Sequence, residues 1–267
     1  MFRTRAAADR YVRAGPPIRP PVPPTPDSPL RLAVWSGPRT LSTAFLRAWG
    51  NRPDTAATDE PLYAHYLATT GLDHPGRAAV LSSQPADWRA VARALTGPVP
   101  GGRALWVQKH MAHHLTPDVG RGWLDALRPV FLVRDPARML RSFDRVVPDP
   151  QPTDTGLPQQ AELFDREAQR RGAAPAVVDT DALLRDPEGV LRALCARLGV
   201  PFLDAMLRWP PGPRVWDGAW APHWYGSVER STGFGPPPAA APHLPHRLQA
   251  THDAVRPLYA HLAAYAL

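Results

Sequence analysis

Residues Leu30–Thr43 read LRLAVWSGPRTLST, and this stretch decides the fold. Leu30–Trp35 is an apolar run of strand length. Ser36-Gly37-Pro38-Arg39-Thr40 interrupts it with turn-forming residues, and Leu41-Ser42-Thr43 opens a helical pattern that runs to Gly50. In open α/β sheets, ligands sit outside the carboxyl ends of the strands, which is where this loop falls. Gly37 lets the backbone turn tightly and approach a ligand. The free N–H groups of the helix start and the helix dipole favour an anion. Thr40, Ser42 and Thr43 add hydroxyl donors, and Arg39 adds a planar, permanent charge suited to phosphate or sulfate oxygens. The run Ser36, Gly37, Pro38, Arg39, Thr40, Leu41, Ser42, Thr43 is thus a candidate anion cradle. It is not G-x-x-x-x-G-K-[ST], which speaks against a Mg²⁺-dependent nucleoside triphosphatase.

Outward from the cradle, strand and helix signals alternate. Thr55–Asp59, Ala104–Val107, Pro129–Val133 and Pro175–Asp179 read as further strands. Leu62–Thr70, Pro85–Thr96, Leu157–Arg171 and Pro187–Leu198 read as helices. Asp135 and Pro136 suit the cap and first position of another. Residues 207–242 are rich in Trp, Pro and Gly and read as irregular. Leu244–Leu267 reads as a closing helix interrupted near Pro257. Strands alternating with helices predict a central parallel sheet covered on both faces, an α/β three-layer sandwich. The proline-dense start (GPPIRPPVPPTPDSP) predicts an extended, disordered segment over residues 1–29, followed by one domain over 30–267.

Composition narrows the function. Hydrophobic residues make up 44%, enough for a sizeable core, and no run approaches a membrane span. The N-terminus lacks the apolar stretch of a secretory signal, so a cytoplasmic location is expected. The net charge of +7 suits an anionic partner, but the basic residues are spread along the chain, against nucleic-acid binding. The lone cysteine, Cys195, excludes an internal disulfide and sits in a helical pattern as a buried thiol. Among the 31 basic residues Lys109 is the single lysine, a compact, mobile charge in a chain that otherwise uses arginine.

A second candidate anion site lies at Arg134-Asp135-Pro136-Ala137-Arg138-Met139-Leu140-Arg141-Ser142. Arg134 stands at a strand tip, and Arg134, Arg138 and Ser142 can converge with the helix start on a second phosphate. A plain surface helix, its arginines paired to Asp135 or Asp144, is the alternative. SGPRTLSTAF, followed by FLVRDPARMLRSF, resembles the paired donor-binding motifs of the sulfotransferase family, and VVDTDALLRDPEGVLRALCARLGVPF is similar to its late strand–helix segment. The resemblance covers roughly residues 30 to 235. It implies a P-loop-like sulfotransferase fold and 3′-phosphoadenosine 5′-phosphosulfate (PAPS) as sulfuryl donor. By the same motifs, Ser36 to Thr43 hold the 5′-phosphosulfate and Arg134 with Ser142 the 3′-phosphate. The family's final glycine-rich donor loop is echoed by Ser231, Thr232 and Gly233. Many members carry lysine in the first loop, where this chain has Arg39.

Sulfuryl transfer needs an aligned acceptor, stabilisation of charge on the oxygens, and a base for the acceptor proton. Glu60 is the first candidate base, because Pro61 holds it out of the helical region at the end of a strand. A helix-start carboxylate is its structural alternative. His110 is the second candidate, next to Lys109; the family spacing is K-x-H, whereas these two are adjacent. Lys109 or Arg39 would stabilise sulfuryl oxygens. His110, His113 and His114 otherwise take exposed or capping roles. His110 and His114 are four apart on a potential helix, which permits a metal reading, but H-E-x-x-H is absent and no third ligand is indicated, so no metal is expected. Trp216–Tyr225 can line a pocket for a small-molecule acceptor or pin the segment to the core. A kinase-like phosphotransferase and an inactive nucleotide-binding module are the competing functions.

Overall fold

The computed structural model describes residues 23–236 and 243–267. Of the segment expected to be disordered, residues 1–22 lie outside the described residues; residues 23–29 are largely exposed and make one tight turn closed by Thr25 and Ser28.

Five parallel strands form one sheet: β1 (Leu30–Ser36), β2 (Thr55–Asp59), β3 (Leu105–Met111), β4 (Arg128–Val133) and β5 (Ala176–Asp179), in the order β2-β3-β1-β4-β5. The helices are α1 (Ser42–Gly50), α2 (Tyr63–Thr70), α3 (Arg77–Ser83), α4 (Trp88–Thr96), α5 (Pro136–Phe143), α6 (Leu157–Arg171), α7 (Thr180–Arg185), α8 (Pro187–Leu198), α9 (Ala221–Trp224), α10 (Gly226–Glu229) and α11 (Gln249–Ala263). Strand residues alternate between two cores. Leu32, Val34, Val130 and Leu132 pack with α1 and α8, while Ala33, Trp35, Phe131 and Val133 pack with α4, α6 and α11. Both faces of the sheet are therefore covered, which is why β1, β4 and β5 read as largely apolar runs.

The chain leaves β1 toward β2 on one side and later fills β4 on the other, so a crevice opens at the carboxyl end of β1. Gln160 of α6 spans it, donating to the carbonyls of Trp35 (2.8 Å) and Leu132 (3.1 Å) where strands β1 and β4 end. The closing helix is not interrupted: α11 runs through Pro257, anchored by buried Thr251, Val255 and Leu262. Packing of that face outweighs the roughly 3 kcal/mol cost of an interior proline. Within the segment expected to be irregular, α9 and α10 are single short turns. No helix among the described residues is long and apolar enough to cross a membrane.

Candidate functional site

A cavity of about 380 Å³ opens at the carboxyl ends of β1 to β4. Its floor is the cradle. Arg39 and Leu41, on either side of Thr40, take positive φ (59° and 58°), so the loop coils tightly before α1 begins. Thr40 Oγ1 donates back to the Gly37 carbonyl at 2.8 Å and locks the turn. A Cβ on Gly37 would lie 2.1 Å from the Thr155 carbonyl oxygen, so glycine is required here by the turn at 152–156 pressing on the loop. Ser36 is fully buried beneath the cavity and donates to the His110 carbonyl; Pro38 through Thr43 border the cavity.

Arg134 and Ser142 meet the cradle from β4 and α5. Arg134 Nη1 donates to the Arg39 carbonyl (2.7 Å), and Arg39 Nε donates to Ser142 Oγ (3.0 Å). Neither guanidinium has a carboxylate partner among the described residues, and Arg134 Nε is buried without a hydrogen-bond partner. Burial, with Arg145 beside it, lowers the Arg39 pKa, and burial also lowers that of Arg134. Cationic groups held close together, partly desolvated and unpaired, form a site for a polyanion. Arg138 turns away and pairs with Asp181 at 2.8 Å, so the expected three-way convergence on a second phosphate contains Arg134 and Ser142 only. Asp135 caps α5 through the Arg138 N–H, and Asp144 pairs with Arg247 rather than with an arginine of its own helix. On the far rim, Ser231 and Gly233 border the cavity while Thr232 is exposed and does not.

The wall opposite the arginines carries the acid–base groups. Glu60 follows β2 with φ 39°, out of the helical region as Pro61 demands. Its carboxylate borders the cavity and accepts from Lys109 Nζ at 2.6 Å. Lys109 also donates to Asp59 (2.8 Å) and to the Tyr225 hydroxyl (2.9 Å), so all three of its N–H bonds are engaged within the protein. The Tyr225 hydroxyl donates to Asp59 at 2.5 Å and accepts from Trp220 Nε1 at 2.9 Å. Burial raises the Glu60 pKa, against the pull of Lys109 and with the help of Asp59. Burial works against the Lys109 charge too, but the carboxylates of Asp59 and Glu60 outweigh it and hold the ammonium well above the ordinary range.

His110 lies on the other side of the sheet. Adjacent residues of a strand point to opposite faces, so with Lys109 toward the cavity, His110 stacks on Trp35 at 4.4 Å in the core. Neither ring nitrogen has a hydrogen-bond partner among the described residues, and burial pushes the imidazole down to about 3. The residue that shares the Lys109 face is Met111, which borders the cavity. His113 and His114 are not exposed caps either. They follow β3 in a 3₁₀ turn rather than a helix, and the His114 ring lies between Tyr63 (4.6 Å) and Tyr66 (4.7 Å) of α2. Burial holds both histidines in the neutral form. With His74 and Trp224 they give the cavity an uncharged aromatic wall. No cluster of three or more metal-ligating side chains occurs among the described residues. Asp59, Tyr225 and Trp220 complete the site and carry no local motif; the nearest signal is the aromatic density of residues 216–225.

The model of the sulfotransferase domain matches residues 30–266. The chain belongs to the sulfotransferase domain family. Two curated relatives come from Arabidopsis thaliana: branched-chain-amino-acid aminotransferase-like protein 1 is 39% identical, and protein 2 is 35% identical, each over 204 residues. These matches cover 76% of this chain but 36% of each relative, so the sulfotransferase chain spans about a third of their length. Among solved structures, the sulfotransferase domain of the Synechococcus PCC 7002 olefin synthase is similar in fold, with a TM-score of 0.50 and 18% identity over 88% of this chain and 97% of that one.

Proposed function

We propose that this sulfotransferase domain moves a sulfuryl group from PAPS to a hydroxyl or amine of a small-molecule acceptor. One observation carries it: a single cavity joins two guanidiniums without carboxylate partners among the described residues, Arg39 and Arg134, to a carboxyl group with a raised pKa, Glu60. The unpartnered Arg134 Nε and the tightly turned loop fit a donor with two separate anionic groups. The loop amides and Arg39 bind the 5′ end, Arg134 and Ser142 bind the 3′-phosphate, and Ser231 and Gly233 close the rim. When bound, the donor supplies a sulfuryl group on a phosphate leaving oxygen. Glu60 takes the acceptor proton, and the wall of Tyr63, His114 and Trp224 orients an uncharged acceptor against it and limits water. Lys109 holds Glu60 in place and meets the oxygens only if one of its three bonds is given up. His110 has no path to the acceptor. A single domain over residues 30–267, working in the cytoplasm, completes the proposal.

The name of the plant relatives does not transfer. Aminotransferase chemistry forms a Schiff base on a lysine that can lose its proton. The single lysine here, Lys109, is held protonated between two carboxylates.

Calorimetric titration with adenosine 3′,5′-bisphosphate, adenosine 5′-phosphate and ATP tests the donor site. The bisphosphate is expected to bind at least tenfold tighter than the monophosphate. Arg134→Ala is expected to remove that preference, a loss of about 1.5–3 kcal/mol for charge-assisted hydrogen bonds. No preference for the 3′-phosphate overturns the proposal, and Mg²⁺-dependent ATP turnover would install the phosphotransferase in its place. Bisphosphate binding without turnover on any acceptor would leave a nucleotide-binding module.

A further inference from the structure

We propose that Asp59 is a positioning residue that keeps Glu60 a proton acceptor by sharing the Lys109 cation with it and setting a second negative charge beside it. The proposal rests on Glu60 as the base and adds the element that sets its basicity. Asp59 and Lys109 stand opposite each other in the β2–β3 ladder, so their side chains leave the sheet on the same face. Lys109 Nζ is shared between Asp59 Oδ1 at 2.8 Å and Glu60 Oε1 at 2.6 Å. A Glu60–Lys109 pair alone would be neutral, and its carboxylate would bind a proton poorly. With Asp59 present, two carboxylates face one ammonium, and the group carries a net negative charge that one proton discharges.

The geometry also says which carboxylate receives it. Asp59 is satisfied on both oxygens, by Lys109 and by the Tyr225 hydroxyl, and it does not border the cavity. Glu60 does border it. The groups facing Glu60 are Asp59 from β2, Lys109 from β3, Tyr63 from α2 and Tyr225 between α9 and α10. The same cavity is also bordered by Arg39, Arg134, His74, His113 and His114. Among these, Asp59 is the second carboxylate; burial raises the Glu60 carboxyl most, Lys109 pulls it down, and the repulsion of the Asp59 charge raises it further. Trp220 Nε1 and Tyr225 fix the arrangement from the late part of the chain.

The test is a ¹³C titration of the glutamate side-chain carboxyls in the full chain. The glutamates are Glu60, Glu162, Glu167, Glu188 and Glu229, and loss of one signal in Glu60→Gln assigns the first. In wild type the Glu60 midpoint is expected above the ordinary glutamate value. In Asp59→Asn, which keeps the shape and removes the charge, it is expected to fall by about one pH unit or more. Tyr225→Phe keeps both charges and is expected to move it by less than half as much. A wild-type midpoint at or below the ordinary value overturns the proposal, and so does an unmoved midpoint in Asp59→Asn. Should Asp59→Asn fail to fold, Asp59→Ser, which also removes the charge, takes its place with the same expected fall and the same overturning result. Bisphosphate calorimetry on the same samples reports separately on the donor site, so a failure there leaves the titration standing.

Discussion

Lys109 and Tyr225 are 116 positions apart in the chain, and their polar atoms meet at 2.9 Å. Through that contact the end of β3 is tied to a segment that follows all five strands, and Glu60 is fixed between them. The two candidate bases thereby have opposite surroundings. Glu60 faces the cavity with a raised pKa, and His110 faces the core. Glu60→Gln is expected to lower turnover by about 10² to 10⁴ while leaving bisphosphate affinity unchanged. His110→Phe keeps the stack on Trp35 and removes two unpartnered nitrogens. It is expected to leave turnover near wild type and stability equal or higher. Steady-state rates and thermal unfolding of the two variants distinguish them.

The cradle depends on the absence of one carbon atom. In Gly37→Ala the new Cβ would lie 2.1 Å from a backbone oxygen of Thr155, which has no flexible side chain to yield. Either the loop or the 152–156 turn must shift. A stability loss of about 1–3 kcal/mol is expected from overpacking, together with a weaker bisphosphate titration. Thermal unfolding with and without the ligand measures both.

A buried ion pair joins the cradle helix to the late segment. Arg47 of α1 grips Asp217 through two bonds of 2.7 Å, and both side chains are almost fully buried. Asp217→Ala leaves a buried guanidinium without a partner, a cost of about 3–5 kcal/mol. Near-ultraviolet circular dichroism is expected to change at Trp216 and Trp220, which lie on either side of this residue.

Acid should unfold the protein early. Burial pushes His110 and His113 down to about 3 and His114 well below the ordinary histidine value. Each folded-state pKa is depressed, so the stability these groups contribute is present above about 6.5 and is lost as pH falls below it. In that window the unfolded chain binds two to three more protons, a slope of roughly 3–4 kcal/mol per pH unit. Glu60 acts with the opposite sign, because its raised carboxyl binds a proton more readily in the folded state, and it offsets at most one of these protons. A urea midpoint that falls steeply between pH 6.5 and 5 is the expected result.

What could be read from sequence was local. The strand–loop–helix at Leu30–Gly50 and the cap at Asp135 depend on neighbouring residues, and they appear in the structure where local chemistry places them. The helix α3 was not foreseen, since Val80 is its one buried residue and leaves no apolar period to detect. The orientation of His110 followed from strand alternation alone, and adjacency to Lys109 already contained it. The partners of Lys109 were beyond reach, because Asp59, Glu60 and Tyr225 converge only when the sheet and the late segment are both assembled. The bend in expectation at Pro257 failed for a related reason: tertiary packing overrides a local helix breaker.

The union of Lys109 with Tyr225 also sets a timetable. A ribosome delivers the cradle and Arg134 long before it delivers Trp220 and Tyr225. A chain halted between them would carry the candidate anion cradle without the Tyr225 contacts that hold Lys109 and Glu60. Competence for the proposed transfer thus waits for Trp220 and Tyr225, which are made after the cradle and Arg134.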